Sequence, residues 1–224
     1  MGGRVGSITT DIIADGLVFN MDAANRASYV PDAIKSHNTI NLSQTGSLQD
    51  TGMFSTDNKG VFVCDGVDTG IALNSTSNLS TVSTVGMWVK RNNTSSTEAL
   101  FGGNTWASNA AMWLAGTTSL YLSISKWVKP NFYSAGWSNT TNWFYITVTR
   151  NGDDANLYKN GAFVDDLTGL GAGDTLIYSI GYNSGNNSGY YNGEIGPMHM
   201  YNRILSNSEI LHNYNALKGR FGLT

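Results

Sequence analysis

The sequence predicts an all-β domain: two antiparallel sheets stacked face to face as a jelly-roll sandwich, with one short C-terminal helix. Three observations carry this. About a dozen short apolar runs recur, with turn signals every ~8–12 residues, the spacing of a sandwich. Almost no helical periodicity precedes residue 204. The last stretch, in contrast, carries start and stop signals for a single helix.

Residues 1–14 read as a flexible arm and residues 15–224 as the sandwich domain. GLVFNMDAA (16–24) is the first strand. Residues 25–60 are rich in turn formers and read as a long excursion with short strands. GVFVCDGVDTGIAL (60–73) gives two strands about an Asp65-Gly66 turn, and VSTVGMWVKRN (82–92) one long strand. EALFGGN (98–104) and AAMWLAG (110–116) follow. In SLYLSIS (119–125), Leu120, Leu122 and Ile124 face one way and Tyr121 and Ser123 the other, the period of a half-buried strand. NWFYITVTRNG (142–152) alternates likewise, with Phe144, Ile146 and Val148 on one face. ANLYKNGAFVDD (155–166) is a hairpin about Asn160-Gly161, because Asn-Gly suits the positive φ of a type I′ turn. DTLIYSIGYN (174–183) and GEIGPMHMYNR (193–203) complete the strands.

The helix signature begins at Ser206, with Glu209 three residues on, a capping box. Ile210, Tyr214 and Leu217 form one apolar stripe, and Gly219 suits the residue that ends it. A lone helix must bury that stripe on a neighbour, so it is expected to lie as a lid over an edge or corner of the sandwich.

The chain has 224 residues, of which 13% are charged, with a net charge of −3 and no basic run. Nucleic acid and anionic membranes are poor partners for such a surface. No apolar run reaches the ~18 residues of a membrane span. The single cysteine, Cys64, excludes an internal disulfide and reads as a small buried hydrophobe. The N-terminus lacks the charged-then-apolar layout of a signal peptide, so secretion by that route is not expected.

Catalytic chemistry finds little support. Glycoside hydrolysis needs two facing carboxyl groups, ~5–5.5 Å or ~6.5–9.5 Å apart. The only glutamates are Glu98, Glu194 and Glu209, and no carboxylate occurs between Ala99 and Gly152. Asp65 and Asp68 sit at a turn, where aspartate bonds its own backbone. His37, His199 and His212 lie in unrelated contexts, and no nucleophile elbow or zinc spacing is present. His199, within an apolar strand, reads as a core or interface residue.

Taken in order, DGLVFNMDA, FVCDGVDTGIAL, VGMWVKR, NWFYITVTRNGDDANLYKNG and the closing NGEIGPMHMYNRILSNSEILHNYNALKGRFG resemble the laminin-G-like, concanavalin A-like sandwich family. The closing unit is similar to the form found in structural proteins of tailed bacteriophages of marine and cyanobacterial hosts. The resemblance spans roughly residues 15–222. It implies a jelly-roll sandwich, frequent glycan binding, frequent calcium, and no catalysis in most members. The expectation is therefore a non-enzymatic virion protein, a decoration, tail or adhesion component assembled in the host cytoplasm. Its partners would be other virion proteins, copies of itself and host-surface glycans. A free-standing carbohydrate-binding lectin module stands as the alternative, and a glycoside hydrolase of the same fold as a lesser one.

Two site expectations follow. Five of the six tryptophans fall between residues 106 and 143. Aromatic rings stack on sugar faces while amides bond hydroxyls, so Trp106, Trp127, Tyr133 and Trp137, with Asn131 and Asn139, are candidate carbohydrate contacts; Trp88 and Trp143 read as packing residues. For calcium, the rim loops resembling the family's ion site offer Asn104, Asn109, Asn183, Asn186 and Asn187 but no aspartate. Asp22 and Glu194 would approach if the first and last strands pair, and are the candidate metal ligands.

Overall fold

The computed structural model describes residues 12–103, 111–123, 131–133, 138, 140–170 and 174–224. The strands in chain order are β1 (Leu17–Met21), β2 (Lys35–His37), β3 (Thr45–Leu48), β4 (Phe54–Ser55), β5 (Val61–Asp65), β6 (Ile71–Leu79), β7 (Val82–Arg91) and β8 (Thr97–Gly102). They continue with β9 (Ala111–Ala115), β10 (Ser119–Ser123), β11 (Asn131–Tyr133), β12 (Phe144–Asn151), β13 (Asp154–Lys159), β14 (Ala162–Leu167), β15 (Thr175–Ile180) and β16 (Asn192–Tyr201). Helix α1 (Asn207–Lys218) follows, and a 3-10 turn, Gly219–Phe221, ends the fold.

Two eight-stranded antiparallel sheets result. One runs β14-β13-β12-β7-β16-β5-β4, with β1 also paired to β16; it carries the helix and is termed the clasped sheet. The other, the open sheet, runs β11-β10-β9-β8-β15-β6-β3-β2. The first and last strands pair as expected, with Met21 opposite Met198. Between the sheets lies one core. Phe19, Phe62, Val85, Met87, Phe144 and Ile146 enter it from the clasped sheet, and Phe101, Met112, Leu114, Leu120, Leu122 and Ile177 from the open one. Each such side chain contributes ~1.5–3 kcal/mol by leaving water.

The hairpin at Asn160-Gly161 forms with φ of 53° and 81°, both positive as a type I′ turn demands. Alternation holds in β10, where Leu120 and Leu122 are buried and Tyr121 is half-buried. It fails in β12, where Tyr145 and Thr147 are as buried as Phe144 and Ile146. The helix is the reason. It does not cover an edge or corner; it lies over the central strands β5, β7 and β12, and Leu217 and Phe221 join Val61, Trp88, Trp143 and Tyr145 in a second cluster. The Trp88 ring stacks on Phe221 at 4.3 Å, Tyr145 at 5.3 Å and Tyr214 at 5.7 Å.

The capping box is present in full: Ser206 accepts from the Glu209 backbone, and the Glu209 carboxylate accepts from the Ser206 backbone. The α-helix stops where expected, at Lys218 with Gly219 as its cap, but Gly219 is not the left-handed residue and begins a 3-10 turn. Gly219 remains right-handed, at φ −63°, and the left-handed residue is Gly222 at φ 71°. The extra turn carries Phe221 onto Trp88, and that packing outweighs the local stop signal. Ile12 and Ile13, assigned by sequence to the arm, pack on the helix side, with the Ile13 amide donating to Asn213 Oδ1 at 2.8 Å.

Candidate functional site

The outward face of the open sheet presents an aromatic row. In β9 and β10, Met112, Leu114, Leu120 and Leu122 point into the core, which turns Trp113 and Tyr121 outward. The register sets Ala99 opposite Trp113, Trp113 opposite Tyr121, and Tyr121 opposite Asn131. Tyr133 pairs with Ser119 one row along. The backbone thus brings Asn131 and Tyr133, both expected as sugar contacts, into line with two aromatics, Trp113 and Tyr121, that were not chosen. Strict alternation in SLYLSIS was the signal for Tyr121. Trp106, Trp127, Trp137 and Asn139 lie outside the described residues.

The loop between β15 and β16 borders this row. Gly189 lies over Trp113 at a φ of +64°, and a Cβ there would overlap the indole ring. The Gly189 carbonyl accepts from the Ala99 amide at 2.7 Å, which fixes the loop to β8. Tyr182 and Tyr190 stack with centroids 5.3 Å apart and an angle of 4°. A pocket of about 310 Å³ opens beside them, between Asn93, Thr97, Tyr190 and Asn192, with Glu98 at its base.

Glu98 is buried and reaches inward from the open sheet to Arg91 of the clasped sheet, 3.4 Å from Nε. Arg91 also donates to the Gly116 carbonyl at 2.6 Å and the Ser96 carbonyl at 3.1 Å. Burial raises the Glu98 pKa, while the Ser96 hydroxyl and Arg91 pull it down. This is a pin between sheets. The other two glutamates are also engaged: Glu194 by Lys90 at 2.6 Å, and Glu209 by Arg203 at 2.6 Å in addition to its cap. Asp65 accepts from the amides of Val67, Asp68 and Thr69, as a turn aspartate does, and its pKa falls to about 2, chiefly through the Val67 bond.

The described members of the donor sets expected for calcium are engaged elsewhere. Asp22 accepts from Arg220 at 2.8 Å whereas Glu194 pairs with Lys90, so the two acids serve different cations. At the rim, Asn183 accepts from the Gly185 amide, Asn186 from the Ser188 hydroxyl and Asn187 from the Tyr190 hydroxyl. These amides fold their own loop, and calcium favours carboxylate oxygens that the rim lacks. Asn104 and Asn109 lie outside the described residues. Among the described residues no group of three or more His, Cys, Asp or Glu converges.

Cys64 and His199 behave as interior groups. Burial pushes the thiol up to about 12 and the imidazole down to about 3. Neither His199 ring nitrogen has a hydrogen-bond partner.

Residues 65–211 match the family described as the concanavalin A-like lectin/glucanases superfamily. No curated protein matches the sequence. Among solved structures, domain 4 of AbnA, a GH43 extracellular arabinanase from Geobacillus stearothermophilus in complex with arabinotriose, is 18% identical, over 88% of this chain and 98% of that domain, with a TM-score of 0.56. The binding domain of Paraclostridial Mosquitocidal Protein 1 is 16% identical over 90% of this chain and 52% of that one, at 0.62. The receptor binding domain of botulinum neurotoxin type G is 13% identical over 90% and 51%, at 0.58. The chain thus spans about half the length of the toxin binding domains it resembles. At these identities the structural likeness speaks for the fold. The match over residues 65–211, from β5 into α1, supplies the family: the chain belongs to the concanavalin A-like lectin/glucanases superfamily.

Proposed function

We propose that this domain recognises glycans without cleaving them, through the outward face of the open sheet and the loops at its ends. The observation that carries this is the row of Trp113 and Tyr121 in register with Asn131. An aromatic shelf suits the C–H face of a pyranose. Trp106, Trp127, Tyr133, Trp137 and Asn139 are further candidates for the same role, on the sequence alone. The non-catalytic reading rests on the three glutamates, each committed to a cation or a cap; the two carboxylates that line a groove, Asp154 and Asp166, lie on the other face of the sandwich. The likeness to a domain solved with arabinotriose supports the ligand class.

The finer reading places the domain on a tailed-phage particle, as a decoration or adhesion component among copies of itself and other virion proteins. It rests on the sequence resemblance of the closing strand–helix unit. A free-standing lectin is the second reading. Neither reading invokes calcium.

Glycan-array binding of the whole chain tests recognition, with Trp113→Ala, Tyr121→Ala, Trp127→Ala and Trp137→Ala compared. Weakened binding in the first two variants supports the shelf; unchanged binding in all four refutes it. Release of reducing ends from a bound polysaccharide would overturn the non-catalytic reading. Mass spectrometry of purified phage particles decides between virion component and free lectin.

A further inference from the structure

The clasped sheet, on the opposite side of the sandwich, holds a groove that helix α1 leaves open. Its cavity measures about 580 Å³. The strand register builds it. Thr149 of β12 lies opposite Asn156 of β13, and Asn156 opposite Asp166 of β14, which makes one polar row across three strands. Asn151 and Asp154 form the next row. Phe163, 55% exposed, borders these rows, its ring held edge-on against Tyr158 at 5.8 Å and 80°. Ile204, from the turn before α1, adds a second apolar surface.

The polar groups here are uncommitted. Among the described residues, no hydrogen bond or ion pair engages the side chains of Asn151, Asp154, Asn156 or Asp166. Thr149 is 2% exposed, lines the cavity, and has no partner for its hydroxyl either. That hydroxyl is open to the cavity, where water or a ligand bonds it. An exposed phenylalanine on an edge strand is a liability unless something covers it. Two carboxylates line the groove and no cationic side chain does.

We propose that this groove is a second saccharide site, separate from the open-sheet face and selective for amino sugars with a protonated amine. Phe163 stacks on the C–H face of the ring. Thr149, Asn151 and Asn156 bond hydroxyls, and Asp154 and Asp166 receive the ammonium group. A neutral sugar satisfies the amides but leaves both carboxylates without a cation. An anionic sugar is repelled. A bare divalent ion makes no use of Phe163.

The test is isothermal titration of the whole chain with a glucosamine tetramer, in mildly acidic buffer containing EDTA. N-acetylglucosamine tetramer and cellotetraose serve as comparisons. Saturable binding to the amine-bearing tetramer is expected, at least about tenfold tighter than to either comparison. Asp166→Asn, Asp154→Asn and Phe163→Ala each weaken it by about tenfold, with thermal melts confirming that the fold is retained. Trp113→Ala, on the other face, leaves it unchanged, so failure here is distinguishable from failure of the open-sheet reading. Equal affinity for cellotetraose, full binding by the Asp154→Asn/Asp166→Asn double variant, loss of binding in Trp113→Ala, or no heat at about 10 mM tetramer each overturns the proposal.

Discussion

Arg220 Nη1 donates to Asp22 Oδ2 over 2.8 Å, joining residues 198 positions apart. The same guanidinium donates to the carbonyls of Asn58, at 2.6 Å, and Gly60. The chain's last turn is thereby bolted to the end of β1 and to the segment entering β5. Both charged side chains are nearly buried, at 8% and 5%. Removing one partner strands the other, so Arg220→Ala should destabilise by ~3 kcal/mol. A urea titration reads this as a lowered midpoint at unchanged slope. A shift worth less than ~1 kcal/mol would deny the contact its role.

The apolar underside of the helix supplies a second prediction. Ile210 is fully buried and Leu217 is 4% exposed. Ile210→Ala and Leu217→Ala should each cost ~2–5 kcal/mol, whereas Leu211→Ala, at 45% exposure, should cost under ~1 kcal/mol. Thermal melts of the three variants decide it. Equal losses in all three would mean that the helix is not docked by this face.

His199 predicts a pH dependence. Burial between the sheet and the helix, beside the Tyr145 ring at 6.4 Å, lowers its pKa from 6.5 to about 3. The unfolded chain therefore binds the proton first. Stability from the neutral imidazole is complete above pH 6.5 and is lost as pH falls toward 3. Asp65 and Glu209, whose pKa values drop to about 2, begin to contribute in the same direction only below their ordinary 3.8 and 4.5. Between pH 6.5 and 4.5 His199 contributes about 1 kcal/mol per pH unit, and Glu98, whose raised pKa favours the protonated form in the fold, opposes it toward the acid end of that window. Urea titrations across that window should show it, and His199→Phe should flatten it. An unaltered slope in the variant would place the protonation elsewhere.

Gly189 gives a prediction that links backbone to recognition. Alanine there meets both a positive φ of +64° and the Trp113 ring. Gly189→Ala should cost ~1–3 kcal/mol and disturb the shelf, reducing glycan binding more than it reduces stability at 25 °C. Binding assays run on folded variant protein check this; binding equal to that of the parent would separate the loop from the shelf.

Calcium offers a fifth test. Among the described residues, engaged amides and separately paired acids leave no ready set of oxygens. Millimolar calcium should therefore shift the melting temperature by less than ~1 °C relative to EDTA. A larger rise would reveal an ion site involving other residues.

Features written locally were legible in the sequence. Asn160-Gly161 and Ser206–Glu209 specify a turn and a cap through neighbouring atoms, and both formed as read. Strand alternation placed Tyr121 outward for the same reason. What escaped depends on distant partners. Tyr145 and Thr147 are buried on a face that alternation assigns to solvent, because a helix more than 60 residues later covers it. Arg220 carries no periodicity that announces Asp22 or Asn58 as its partners. The groove was equally hidden: Thr149, Asn156 and Asp166 meet only through strand pairing, and Asp166 alone looks like a residue flanking a turn.

Ile12 and Leu223 rest against the same cluster, beside Trp88 and Phe221. Both described extremities of the chain therefore emerge on one flank, and that flank faces away from Trp113 and Tyr121. Any polypeptide fused at either extremity would leave from the rear and keep the open sheet's outward face clear for display.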